Sequence, residues 1–378
     1  FVLALSNWSG TSGNYSIDFS SSTCGFGGSN MLNWSGENGN EWESSVNWGG
    51  CTVPGCGISS SIFPSANQPV ISSNAIVQDL TILPGATLTL GSYSVLQVCG
   101  NFTNLGNLNA DPTSVIVLTG DSTSQYLDGL LIGNNRVGGV YIPKLAGSVI
   151  LNNDIELQGE LTLVDPNCVF DLNGKKLITS SSIYNSNGGS SFLSSVAGST
   201  LEFNGETEQY FATNGDVTLS NLSLNKISGI TEFLDGNIIL DSLGTLYLTN
   251  GTLFTGNYEL IIRNKNPQSI IGGSDSSYII GNLRRSLSGN PDTYEFPLGG
   301  FNHGFQRAQI EFTTPTSIPE LFSNFNSYIS IPNGPSGIDC NSYEYNVDQV
   351  LDQGYWNIHA SAKSDSGLYR VTLYNQNF

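Results

Sequence analysis

The residues able to do chemistry are few and widely spaced. Two histidines, His303 in Phe-Asn-His-Gly-Phe and His359 beyond Trp356, have neither a partner at catalytic spacing nor the setting of a general base. Glycosidic cleavage would need paired carboxylates at a set separation, or calcium beside a basic group. The cations Arg136, Lys144, Lys175, Lys176, Lys226, Arg263, Lys265, Arg284 and Arg285 stand in no such motif, and Asp-Pro at 111 and 165 reads as turn formation. Gly-x-Ser-x-Gly, a phosphate-cradling loop and paired Cys-x-x-Cys are all missing. No enzymatic activity is expected.

Six cysteines in a chain poor in Lys and His fit an oxidising setting better than a metal site. Cys51 and Cys56 enclose Thr-Val-Pro-Gly, a turn that brings their Cα atoms within bridging reach and predicts a local disulfide. Cys24, Cys99, Cys168 and Cys340 lie far apart, and their pairing is open. Cys99 and Cys168 sit in apolar runs where a buried free thiol competes with a bridge. No cofactor is expected, although the loops Gly120–Ser124 and Gly272–Ser277 offer a sparse set of oxygens for calcium. Trp34, Trp42 and Trp48 have two readings. Their faces stack on sugar rings, or they cap the first rung of a stack and shield its apolar interior, the simpler of the two.

The elements that must position these groups are short strands. In GTLYLTNGTLFTGNYELII (Gly244 to Ile262), Leu246, Leu248 and Leu253 keep to one side of a period of two, and Gly-containing turns separate the copies. LTILPGATLTL and IELQGELTL repeat the phrase upstream. A longer match sets Ser114–Leu163 on Ser199–Leu248: SVIVLTGDSTSQYL on STLEFNGETEQYF, GGVYIPK on LSNLSLNK, DIELQGELTL on GNIILDSLGTLYL, offset by about 82 to 85 residues. A solenoid rung takes roughly 20 to 30 residues, so this period reads as three or four rungs. Leu-x-Leu pairs with short turns and no hairpin register predict a right-handed parallel β-helix over 63–290, after a Trp-rich lead at 1–62. From Pro291 to residue 378 the repeat stops and longer alternations such as RAQIEFTT and LYRVTLYN predict an antiparallel β-sandwich. The whole chain is all-β.

Composition agrees. Glycine is 44 of 378 residues and charged residues only 11%, against a usual quarter. A net charge of −19 with 12 Lys plus Arg argues against a nucleic-acid partner or an anionic membrane, which need clustered cations. No apolar run is long enough to insert in a bilayer. A start at FVLALSNWSG, with the one Met at position 31, reads as a mature or excised part of a longer exported polypeptide.

NWSGENGNEWESSVNWGGCTVPGCG followed by ANQPVISSNAIVQDLTILPGATLTLG resembles the Trp-rich lead and first rungs of the large surface proteins that Bacteroidota export by type IX secretion, gliding and adhesive proteins among them. The matching positions are Trp34 to Gly36, Trp42, Asn47, Trp48, Pro54, Pro69 to Ile71 and Gly85 to Leu90. YEFPLG (Tyr294 to Gly299), GYWNI and YRVTLY resemble the end of such solenoids and the β-sandwich that follows, so the likeness spans about 33–378, with residues 1–32 the end of a preceding module. Cys51 and Cys56 depart from that pattern. The resemblance implies an extracellular structural or adhesive segment spacing other modules of a larger polypeptide from the cell. Alternatives are a module binding surface glycans and a homo-oligomeric hook- or fibre-like appendage. It also implies O-glycosylation where Asp is followed by Ser or Thr and then Ala, Ile, Leu, Val, Met or Thr, which places candidates at Ser122 and Ser242.

Overall fold

The computed structural model describes residues 31–120, 124–185, 193–194, 196–327, 354–363 and 367–374. Cys24, Cys340 and Ser122 lie outside them. The chain is nearly all β, and its stacked parallel coils form a β-solenoid of about 10 turns.

Each coil contributes strands to a triangular stack. One face runs Met31–Trp34, Ser59–Ile62, Leu80–Ile82, Phe102–Asn104, Ser124–Gly129, Gly147–Leu151, Cys168–Asp171 and Leu193–Ser194, every neighbour parallel. A second begins with Val70–Ile71, Thr87–Leu90 and Asn107–Ala110 and resumes with Ile155–Leu157, Lys176–Thr179 and Thr200–Phe203. The third carries Asn74–Val77, Val95–Val98, Val115–Leu118, Gly139–Ile142, Leu161–Leu163, Ile183–Asn185 and Gln209–Ala212. Later coils close up: Val217–Leu234 and Ile238–Ile262 each run continuously around the stack, pairing with the coil before through several register shifts.

Period-two alternation sets the core. Leu88 and Leu90, Leu96 and Val98, and Ile116 and Leu118 point inward at no more than 1% exposure, while Thr89, Gln97 and Val117 between them face out. Each buried aliphatic side chain contributes about 1.5–3 kcal/mol relative to exposure, but only because the next coil covers it. At the bends, asparagine amides reach the carbonyls of adjacent coils: Asn104 to Leu130 O (2.6 Å), Asn173 to Leu151 O (3.0 Å), Asn185 to Thr213 O (3.0 Å) and Asn264 to Gly244 O (2.9 Å). Uncharged amides satisfy the bend carbonyls without burying charge, which accounts for a chain rich in Asn and poor in Lys and Glu.

The longer repeat proves to be a corner. Val115–Leu118 lies on the third face, but its match Thr200–Phe203 lies on the second. What recurs is the turn leaving the strand. Gln125 accepts from Gly120 N (3.0 Å) and donates to Val98 O and Gly100 O; Gln209 accepts from Gly205 N (3.1 Å) and donates to Thr179 O and Ser181 O. One coil on, the matched lysines Lys144 and Lys226 turn inward to those same turns, to Gly120 O and to Gln209 Oε1 and Thr207 O. Sequence similarity therefore follows a bend used at two different corners, not a block of equivalent rungs.

Near the C-terminal end the direction reverses. Ser277–Ser286 pairs in parallel with the coil before it, and from Leu283 to Ser286 it also pairs antiparallel with Glu320–Ser327. Thr293–Gly300 joins the stack in parallel through Leu298 and Gly299, and pairs antiparallel with Gly304–Phe312. Gly354–Ala360 and Tyr369–Tyr374 extend these two sheets. The expected sandwich is shown only as far as this antiparallel pairing. Parallel and antiparallel parts share strands and one continuous apolar core.

Candidate functional sites

The tryptophan cluster is built by the first described strand and the loop after it. Trp34 ends Met31–Trp34, Trp42 N donates to Val70 O, and the turn at Ser45–Asn47 returns Trp48 beside both. Trp48 packs edge-on to Trp34 (centroids 5.1 Å apart, 82° between planes) and to Trp42 (4.6 Å, 75°). Trp48 Nε1 donates to Trp42 O at 2.9 Å and Trp34 Nε1 to Asn67 O at 2.8 Å. Relative exposures are 2%, 0% and 0% for Trp34, Trp42 and Trp48. The sugar-stacking reading of these three residues is thereby corrected: no indole face is open to a ligand. They fill the interior of the first described coil.

The local Cys51–Cys56 bridge is also corrected. Cys56 is bonded to Cys99, 43 residues away, with Cα atoms 5.7 Å apart, inside the usual range. The solenoid supplies the reason. Cys99 follows an inward Val98 and so faces out, where the loop leading to Ser59–Ile62 passes over it. Cys51, with φ at 52°, is disulfide-bonded elsewhere. Cys168 is a buried free thiol whose pKa burial pushes up, against the opposing pull of Lys144, so it is a poor nucleophile.

The histidines pack structurally. His359 stacks on Phe322 (5.0 Å, 4° between planes), whose ring also receives the Arg284 guanidinium at 4.4 Å, and His303 lies edge-on to Phe325. Among the described residues no three His, Cys, Asp or Glu side chains converge as a metal site. No described helix is long and apolar enough to cross a membrane. Ser242 is exposed at a bend where Asp241 Oδ1 accepts from Leu243 N at 2.8 Å.

Buried cations are the feature that sequence reasoning missed. Arg285, fully buried, donates to Glu295 O (2.7 Å), Pro267 O (3.0 Å) and Ser269 Oγ (2.9 Å), with its guanidinium near the rings of Tyr294 and Phe296. Burial lowers its pKa to about 10, opposed by Tyr294 and Glu295. It ties the last coil to the first antiparallel strand. Next to it, Arg307 binds Glu295 through two hydrogen bonds of 2.6 and 2.7 Å. The signal was available: Lys144 and Lys226 end matched phrases, and a lysine kept at the close of a strand phrase has a carbonyl to serve.

No family model, curated protein or solved structure matches the chain.

Proposed function

We propose that the chain is a non-enzymatic structural segment of an extracellular bacterial surface protein, a stiff rod that holds neighbouring modules away from the cell. The carrying observation is the parallel ladder that continues through about 10 turns. At about 4.8 Å per coil it spans roughly 48 Å, and every coil bonds to the next on several faces, so a load along the rod is shared among many hydrogen bonds. The corners lock neighbouring coils further, and the disulfide between Cys56 and Cys99 fastens the first coils together. The likeness to surface proteins exported by type IX secretion gives the adhesive context.

Single-molecule pulling between the two ends tests it. The expected trace has little extension up to a high rupture force, then stepwise release of coils. Gradual lengthening at forces that open a helical bundle would overturn the rod reading, and antibody inaccessibility on intact source cells would overturn the surface location.

A further inference from the structure

On the outside of the third face, Val117, Tyr141, Thr162 and Tyr184 stand in one column, each the register partner of the next. Tyr141 and Tyr184 are two coils apart, about 9.6 Å at the usual strand spacing. Tyr141 is 39% exposed, and Thr162 and Tyr184 are half-buried. Beside the column the surface sinks into a furrow of about 550 Å3 that crosses three coils and includes Thr113, Tyr141, Gln158, Glu160 and Thr162.

Glycine lets the coils under the furrow approach closely. A Cβ on Gly159 would lie 2.7 Å from Gly139 N and 2.9 Å from Pro112 O, and one on Gly138 would lie 2.2 Å from Ser114 O. These coils therefore meet backbone to backbone, and the floor has no side chains where Gly139 and Gly159 pass.

We propose that this furrow binds an extended, uncharged β-linked glycan lying along the solenoid axis. An aromatic ring offers a flat apolar face to the axial C–H bonds of a pyranose. Two tyrosines two coils apart match the recurrence of equivalent ring faces in a chain whose successive residues are flipped. The Thr162 hydroxyl, between them, can accept from and donate to sugar hydroxyls, and the exposed carboxylate of Glu160 accepts from them. Glu160 is the one charged residue lining the furrow, so uronic-acid polymers are repelled and neutral ones admitted. The reading stands apart from the rod: glycan binding can be lost with the stacked coils and their mechanics intact.

Native affinity electrophoresis of the whole chain through gels containing hydroxyethylcellulose, mixed-linkage β-glucan, glycol chitin or polygalacturonate tests it. At least one neutral polymer should retard the protein, and polygalacturonate should not. Tyr141→Ala and Tyr184→Ala should each weaken retardation at least fivefold. Tyr93→Ala, which removes an 81%-exposed ring outside the furrow, should leave it unchanged. Thr162→Arg alters only an outward side chain and should block the furrow even where a tyrosine variant fails to fold. Absence of retardation in every neutral polymer, equal retardation in polygalacturonate, or retardation that survives Thr162→Arg in a protein with parental melting behaviour overturns the proposal.

Discussion

Lys226 donates its ammonium protons to Gln209 Oε1 and, at 2.8 Å, to Thr207 O on the preceding coil. Both side chains are buried. Burial lowers the Lys226 pKa from 10.5 to about 8, and the charge of Glu208 opposes that shift. Below pH 8 the lysine is protonated in both folded and unfolded chains, and the cost of burying its charge is fully present. Between about 8 and 10.5 the folded protein releases the proton first, the unfolded chain binds more protons, and stability rises with pH. Lys226→Met removes this contribution. Denaturant unfolding at pH 7.5 and 10 should show the parent gaining on the variant by on the order of 2 kcal/mol. Parallel behaviour of the two proteins would show that the ammonium is not buried.

Trp48 is enclosed by Trp34 and Trp42. Trp48→Ala should cost about 3–5 kcal/mol by the cavity it leaves, seen as a lower unfolding midpoint. A surface-stacking tryptophan would leave the midpoint where it was.

The Cys56–Cys99 bridge spans 43 residues of sequence. A loop of that length gives about 4 kcal/mol in the chain-entropy description. The Cys56→Ser, Cys99→Ser double variant should lose a large part of this in chemical denaturation. A non-reducing peptide map should join Cys56 to Cys99; a fragment joining Cys51 to Cys56 would contradict the pairing.

Ser242 sits beside the exposed Leu243 on an outer bend, reachable by a transferase without disturbing the core. Protein from its native source should carry a hexose-sized addition on the peptide containing Ser242, absent after Ser242→Ala. An unmodified peptide would remove the idea.

The inward residues were legible because a strand with one buried face writes its burial into every second position: Leu246, Leu248 and Leu253 are all inward as the alternation requires. Turns carried their own marks, such as Asn173-Gly174 with both residues at positive φ. Contacts between coils were not legible. Alternation says which side of a strand faces in, but not which residue of the next coil lies beneath it, and so Cys56 gave no sign of Cys99. The tryptophans were ambiguous for a related reason. An aromatic ring near polar neighbours serves equally to bind sugar or to close a core, and only the coil that covers it decides. The repeat misled because a bend needing glycine, glutamine and a distant lysine looks the same at either corner. The furrow and the column beside it could not be foreseen, since Tyr141, Thr162 and Tyr184 are far apart in the chain and are aligned only through register.

The change of strand direction at Leu283 and Leu298 bears on how the molecule behaves in company. A parallel stack with a bare end is a template for any chain of the same pattern, and growth from such an end is how cross-β fibrils lengthen. Here the edge after the last coil is occupied on two faces by antiparallel partners, Glu320–Ser323 on one and Phe305–Gln306 on the other. A coil arriving from another molecule finds that register already taken. At this end the described stack offers no free parallel edge on those two faces for a further coil to copy.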